Sequence, residues 1–229
     1  MIADKKIFFL GFALLAGFLS VLVVLFMPIY GGGQNALNYL DNLYNSISKG
    51  SAYYIQNLRT QNEAYAGREL EVTLTAASAD QAENSAMLLW KAGAAADVQG
   101  ETITIKGDLG RILASSLEDA DLMFHNKEEA MRAKYGYDAR QALFNWWNIL
   151  KGLEKGLTKQ KQFEEAKFVA AVHARAVECA YNYFGITPQK IGDKVMIVIF
   201  SLVFYVIYTL WFGYAIMYMF QGWGMDLEH

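Results

Sequence analysis

Two long stretches near the ends of the chain, residues 7–30 and 195–220, contain no charged residue and are mostly apolar. An α-helix rises 1.5 Å per residue, so about 20 apolar residues cross the ~30 Å hydrocarbon core of a bilayer. Both stretches reach this length. The pattern therefore predicts two transmembrane helices, one on each side of a more polar central region.

The first stretch also resembles a signal peptide, because Lys5 and Lys6 precede it. The apolar part of a signal peptide is usually about 7–15 residues and leads to an Ala-x-Ala type of cleavage site. No such site follows Met27. We therefore expect an uncleaved membrane anchor.

The charges beside the two stretches give opposite indications of orientation. They are Lys5, Lys6, Lys190, Lys194, Asp226 and Glu228. The first two lysines favour a cytoplasmic N-terminus, whereas the second pair favours the reverse. Because the first helix usually determines the topology, we expect a two-pass protein of the cell (inner) membrane with an extracytoplasmic central domain.

Each predicted transmembrane helix has a face suited to close helix packing. Small residues allow two helix backbones to approach, and mildly polar side chains can hydrogen-bond between helices. The residues of the two faces are Ala13, Ala16, Gly17 and Ser20 on the first helix and Ser201, Tyr205, Tyr208 and Thr209 on the second. These faces either pack on each other or bind other subunits, and both alternatives remain open.

Between the membrane segments, the spacing of apolar residues changes twice. A heptad-like spacing from Leu37 to Leu58 predicts a helix with a coiled-coil seam. Alternation around residues 70–76 and 102–106 predicts strands, each followed by a helix. Helical spacing then continues from Lys127 to the second membrane segment.

The predicted fold class is a membrane protein in which two transmembrane helices flank an α+β domain. This domain is predicted to consist of an antiparallel helical stalk that carries a small β-α-β(-β)-α head. Some 27 residues of helix would make the stalk about 40 Å long. The predicted segments are an N-terminal tail (1–6), a transmembrane helix (7–30), a stalk helix (31–67), a small α/β head (68–126), a helical hairpin or long return helix (127–190), a second transmembrane helix (195–220) and a C-terminal tail (221–229).

Composition narrows the possible functions. The chain has 229 residues, 54% of them hydrophobic, and a formal net charge of −3. A negative net charge gives no basic field, so we expect no nucleic-acid partner. With Cys179 as the single cysteine, an internal disulfide and Cys-based zinc or iron–sulfur sites are excluded.

Few residues suggest chemistry, and each has a structural alternative that we favour. Asp121 and His125, close to Glu118 and Asp119, could form a metal site or a proton relay, or could simply end a helix. His173 could bind a ligand or flank a packed helix. The turn Gly107-Asp-Leu-Gly110 resembles an anion-binding helix start but lacks nucleotide-loop spacing. We predict no catalytic, metal-binding or cofactor-binding residue and no cofactor, and hence not an enzyme.

Trp146 and Trp147 are adjacent, so on a helix they point about 100° apart. Both therefore cannot lie on one narrow apolar seam. One of them either packs on the α/β head or serves as a contact for another protein, a role in which tryptophan is common.

These patterns favour a non-catalytic accessory, scaffold or assembly subunit of a larger membrane protein complex. The expected partners are membrane lipid, other subunits of the complex and copies of the chain itself. One alternative is an extracytoplasmic sensor domain without its own output module. Another is a homo-oligomeric scaffold, since the arrangement of segments resembles, in layout only, that of polysaccharide chain-length regulators.

Overall fold

The computed structural model describes residues 2–225, so Asp226 and Glu228, on which part of the orientation prediction rests, lie outside the described residues. The chain forms two compact units, a terminal unit that includes residues up to Ile47 and from Pro188 onward, and a central unit, Ser48–Thr187. The helices are α1 (Lys5–Phe26), α2 (Ala36–Ser51), α3 (Ile55–Asn62), α4 (Ala79–Lys91), α5 (Leu109–Phe124), α6 (Glu128–Tyr135), α7 (Ala139–Lys159), α8 (Phe163–Val172), α9 (Glu178–Asn182) and α10 (Ile191–Gly222), and the strands are β1 (Glu69–Thr75), β2 (Ala95–Gln99) and β3 (Thr102–Asp108).

Two helices of the terminal unit, α1 and α10, are long and apolar enough to cross a membrane. Their most apolar windows have mean hydropathies of 2.7 and 2.4. Their buried residues are Gly11, Ala215 and Gly222, and the others are exposed or half-buried. The predicted pair of long apolar helices is therefore confirmed.

The first apolar helix is shorter at its C-terminal end than predicted. Asp4 caps the N-terminus of α1, and its side chain accepts hydrogen bonds from Lys6 N and Ile7 N at 2.8 and 3.1 Å. The helix ends at Phe26, and Met27 is extended. Pro28 explains this end, because proline disfavours helical conformation in the residue before it.

α1 and α10 pack antiparallel at close range. A Cβ atom at Gly11 would lie 2.7 Å from Met219 N, and one at Gly222 would lie 2.5 Å from Phe8 N. Trp211 Nε1 donates to Leu14 O at 3.0 Å. Glycine therefore brings the two backbones together, as small residues do in membrane-helix pairs.

The predicted stalk helix is not continuous. α2 ends at Ser51, residues 52–54 are not helical, and α3 is followed by a short 3-10 turn, Glu63–Tyr65. Ile55 and Leu58 are 1% and 3% exposed and belong to the core of the central unit. The prediction of one continuous seam is therefore wrong, because the apolar residues after the break pack against α5 and not along one long helix.

The central unit contains a three-stranded antiparallel sheet in the order β1-β3-β2. Ile103 and Ile105 of the central strand are fully buried, as is expected of alternate residues on a covered face. The other face carries polar side chains, including the salt bridge between Lys106 and Glu71 at 2.8 Å. The predicted order of elements, β-α-β-β-α, is the order found from β1 to α5.

α7 lies directly against the covered face of β1. A Cβ atom at Gly156 would overlap Val72, and one at Gly152 would lie 3.0 Å from Leu74. Buried residues from α3 to α9 form one hydrophobic core with the sheet. The α/β segment and the later helices therefore make one folded unit.

The segment 127–190 is not one long return helix. α7 and α8 form a hairpin, with Lys161 in the left-handed region at φ 63° in the turn between them. α8 continues into a π-helical turn, His173–Val177, before α9.

Candidate functional site

A fully buried carboxylate, Asp119 of α5, lies among donors from two other helices. Lys134 Nζ and Trp146 Nε1 each lie 2.7 Å from its oxygens, and Tyr135 Oη donates to it at 2.5 Å. Burial and the nearby carboxylate raise the pKa of Tyr135 well above its usual range. Since protein donors already occupy this carboxylate, its role is to join α5 to α6 and α7.

The predicted pair of Asp121 and His125 forms at the C-terminal end of α5. His125 Nδ1 lies 3.1 Å from Asp121 Oδ1 and 2.9 Å from the Asp121 carbonyl oxygen. The Asp121 carboxylate also binds Arg59 at 3.0 Å and accepts a hydrogen bond from Tyr53 at 2.7 Å. Because an arginine neutralises it, this geometry supports the structural alternative. Glu118 is exposed, 3.5 Å from the ammonium group of Lys134.

His173 begins the π-helical turn and lies beside Trp147. The centres of the two rings are 5.1 Å apart, and Trp147 Nε1 donates to Glu178 at 3.2 Å. Burial lowers the pKa of His173, against the opposing effect of Glu178. Its Nε2 atom is buried with no hydrogen-bond partner among residues 2–225. π-helical turns are rare in proteins, and many of those that occur lie at functional sites. The region around His173 is therefore a candidate for an experimental test.

The two adjacent tryptophans have different surroundings. Trp146 is fully buried and bound to Asp119, so its predicted role as a protein contact is wrong. Trp147 is half-buried, with its ring parallel to that of Phe144 at 6.0 Å between centres. Phe144 is 38% exposed, so these two rings form an aromatic patch on the surface of α7.

Cys179 is half-buried, and its thiol donates to Ala52 O at 3.4 Å. Burial raises the pKa of this thiol.

Near Cys179, Lys49 is 1% exposed, and its ammonium group donates to the carbonyl oxygens of Tyr183 and Ile186 at 2.9 and 2.6 Å. Burial lowers the pKa of Lys49. These contacts hold the end of α9 in place.

The turn from Gly107 to Gly110 lines a shallow groove of about 490 Å³ at the start of α5. Asp108 caps this helix, and its Oδ1 accepts from Arg111 N at 3.3 Å. An acidic side chain therefore occupies the helix N-terminus, which supports the structural alternative over an anion-binding start.

A second groove, of about 440 Å³, runs between α7, the end of β1 and α4. We call it the lysine groove, because three exposed lysines of α7 line it: Lys151, Lys155 and Lys159. Other lining residues are Thr73, Thr75, Gln81, Ser85, Trp147 and Asn148. Sequence reasoning missed this site, although the spacing of the three lysines by four residues places them on one helix face.

The two predicted membrane-helix faces differ in their surroundings. Gly17 lies against Trp211, whereas Ala13, Ala16 and Ser20 are exposed. On α10, the hydroxyl of Tyr208 donates to Phe18 O at 3.0 Å.

The other three polar residues of α10 contribute less to the pair. Ser201 Oγ lies 2.7 Å from Tyr44 Oη, and Thr209 donates to carbonyl oxygens of its own helix. Tyr205 is 67% exposed. α1 therefore uses a different side for α10 and leaves most of its small-residue face exposed.

Comparisons with known proteins give partial similarities. No protein-family model matches the chain, and no solved structure matches it. The chain is 24% identical over 112 residues to large ribosomal subunit protein uL6 of Rhodopseudomonas palustris (strain BisB18), covering 47% of this chain and 63% of that protein. It is 29% identical over 99 residues to uL6 of Rhodospirillum centenum, covering 40% and 55% respectively. The chain thus spans less than two thirds of the curated relatives it matches.

This similarity overturns the prediction that the chain has no nucleic-acid partner, because the matched relatives are ribosomal proteins. The prediction rested on the net charge of the whole chain, −3. A net charge averages over the surface, whereas binding depends on local charge. The lysine groove is a local excess of positive charge that the average conceals.

Proposed function

We propose that this chain is a membrane-anchored accessory or assembly subunit of a larger membrane protein complex, and that it carries no catalytic activity of its own. The observation that carries the proposal is the exposure of the two apolar helices. α1 and α10 bind each other along one side and present other apolar faces to their surroundings. In a complex, lipid and partner helices would cover these faces.

The small-residue face of α1 supports the presence of a partner helix. Ala13, Ala16 and Ser20 point away from α10 and are exposed. Ser20 Oγ bonds to Ala16 O within the helix, so it adds no bulk that would keep a neighbour away. Helices in membranes associate through such faces, because small side chains permit close backbone contact.

The aromatic patch of Phe144 and Trp147 supports a second contact, outside the membrane segments. Arg140 stacks over Tyr181 nearby, with 4.9 Å from its guanidinium carbon to the ring centre. Partly exposed aromatic and arginine side chains are common at protein interfaces.

The test is purification of the full chain from its native membranes in mild detergent, followed by identification of co-purifying proteins. A variant with Ala16→Phe should lose partners that bind the small-residue face. Val203→Phe is the control, because Val203 is 53% exposed and lies on the other apolar helix, α10. If the wild-type chain purifies without other proteins, or if both variants keep all partners, the proposed contact is wrong.

We further propose a two-pass arrangement in the inner membrane. The expected extracytoplasmic position of the central unit remains a prediction, and the accessory role holds in either orientation. Glu101→Cys in a Cys179→Ala background places a reactive thiol in an exposed turn of the central unit. Labelling of intact cells with a membrane-impermeant reagent supports the extracytoplasmic position, and protection contradicts it.

The similarity to large-ribosomal-subunit proteins favours a second candidate, in which the partner is a ribosomal particle. This candidate requires the central unit on the cytoplasmic side. Co-sedimentation of the detergent-solubilised chain with ribosomal subunits tests it, and sedimentation of the chain apart from them would contradict it.

A further inference from the structure

The lysine groove contains positive charge that the protein does not neutralise. None of Lys151, Lys155 and Lys159 forms a salt bridge within residues 2–225. Glu71 on the adjoining strand is already paired with Lys106 at 2.8 Å. No carboxylate is among the described residues that line the groove. The groove therefore suits an anion.

The three lysines lie in a row. Residues four apart on a helix are separated by about 6 Å along its axis, so the row extends over about 12 Å. A single phosphate group would be held by donors that converge on one point. A row instead matches several negative charges in succession along a chain.

The remaining lining groups suit a nucleotide. Thr73, Gln81, Ser85 and Asn148 supply hydroxyl and amide groups, which can bond to sugars and base edges. Trp147 lies at one end of the row, one helical turn before Lys151, and Lys151 Nζ lies 4.3 Å from the centre of its ring. When this ammonium group moves to a phosphate, the indole face becomes available for stacking on a base.

We propose that the lysine groove binds single-stranded nucleic acid, with Lys151, Lys155 and Lys159 contacting successive phosphates and Trp147 contacting a base. The volume of about 440 Å³ lies within the range of about 300–1,000 Å³ for ligand pockets. The lysines line a groove together with residues of β1 and α4, and a groove suits an extended chain better than the flat surface of a bilayer. This inference, like the ribosomal candidate, requires the central unit on the cytoplasmic side.

The test measures binding of a fluorescein-labelled 12-nucleotide oligo(U) RNA to the full chain in neutral-lipid nanodiscs, by fluorescence anisotropy. The groove variant is K151Q/K155Q/K159Q. The control variant, K91Q/K127Q/K167Q, removes the same charge from three exposed lysines outside the groove. Thermal unfolding of both variants verifies that they fold.

The groove variant should bind the RNA at least 10-fold more weakly than wild type, whereas the control should stay within about 2-fold. Three lost phosphate contacts should also reduce the slope of log affinity against log salt by about 2, since each contributes about 0.7 for single strands. Equal losses in both variants would show that net charge, not the groove, determines binding, and would overturn the proposal. It would also be overturned if the RNA did not bind while vesicles containing an anionic phospholipid bound in a groove-dependent way.

Discussion

The terminal and central units bury apolar side chains in opposite ways. In α10, Phe200 and Tyr205 are 69% and 67% exposed, although the helix is strongly apolar. In the central unit, Trp146 and Leu150 are fully buried. A soluble unit gains stability by removing apolar surface from water, whereas in lipid the same exposure has no such cost. The contrast is compatible with lipid around the terminal unit and water around the central unit.

Both units nevertheless use glycine to bring elements together. Gly11 and Gly222 do this between α1 and α10, and Gly152 and Gly156 do it between α7 and β1. The polar contacts differ. Tyr208 and Trp211 donate to backbone oxygens, whereas Asp119 of the central unit collects three side-chain donors. Close backbone packing at glycine thus occurs in both units. The buried charge described above, that of Asp119, belongs to the central unit.

The largest expected effect concerns the difference in solvent itself. If the proposed membrane anchoring holds, alkaline carbonate should leave the full chain in the membrane fraction, because lipid would then cover the apolar faces of α1 and α10. The measurement is the distribution of the chain between pellet and supernatant after centrifugation. Release of the chain into the supernatant without detergent would contradict the proposal that lipid surrounds α1 and α10.

Asp119→Ala should destabilise the central unit by about 2–5 kcal/mol, because the buried donors of Tyr135 and Trp146 lose their acceptor, at about 1–3 kcal/mol each. The half-exposed Lys134 keeps Glu118. Denaturant unfolding of the chain in detergent, followed by near-ultraviolet circular dichroism, measures the free energy of unfolding. Asp97→Ala, at an exposed carboxylate, is the control and should change it by less than about 0.5 kcal/mol. Similar results for the two variants would refute the structural role of Asp119.

Gly156→Val should destabilise the central unit by about 1–3 kcal/mol, since a side chain there would overlap Val72 and force α7 away from β1. The matched variant is Gly213→Val in α10, where no atom lies within 4 Å of the added Cβ. The same unfolding measurement should detect no loss for Gly213→Val. A loss of equal size in both variants would mean that helix propensity, not close packing, sets the effect.

The smallest effect concerns His173, whose pKa is lowered by burial in the folded state. The unfolded chain then takes up a proton at a higher pH than the folded chain. The contribution of His173 to stability is therefore complete above about pH 6.5 and declines as the pH falls below it. His173→Gln should reduce the fall in Tm between pH 7.5 and 5.5.

The control for this pH effect is Gln162→Ala, which changes an exposed residue without a titratable group. Its fall in Tm should equal that of wild type. If His173→Gln leaves the pH dependence unchanged, the histidine is not buried as described.

The periodicity of the sequence predicted those helices and strands that are recognisable from consecutive residues alone. The uncharged runs correspond to α1 and α10, and the alternating segments correspond to β1 and β3. The break at residues 52–54 was not predicted, because the spacing from Tyr44 through Tyr54 to Leu58 continues past it. The packing of Ile55 and Leu58 into the core of the central unit shows that the residues after the break have different surroundings from those before it.

The candidate site was harder to predict, since its parts come from distant segments. Asp119 looks like a surface residue in the sequence, because its three donors lie 15 to 27 positions further along the chain. The row from Lys151 to Lys159 was readable, but its position beside β1 was not. That position depends on Gly152 and Gly156, whose helical spacing gives no indication of which strand they will meet.

The contact between Gly156 and Val72 also determines the direction in which the lysine row points. Each residue inserted into a helix rotates the rest of that helix by about 100°. A single insertion between Trp147 and Lys151 would either turn the glycines away from the strand or, if they stayed, shift the aromatic patch relative to the charges. The rotation of α7 about its axis is therefore constrained both by the glycine contact with β1 and by the position of the lysines relative to the aromatic patch. Homologous chains that keep this groove should tolerate substitutions along α7 far better than changes in its length.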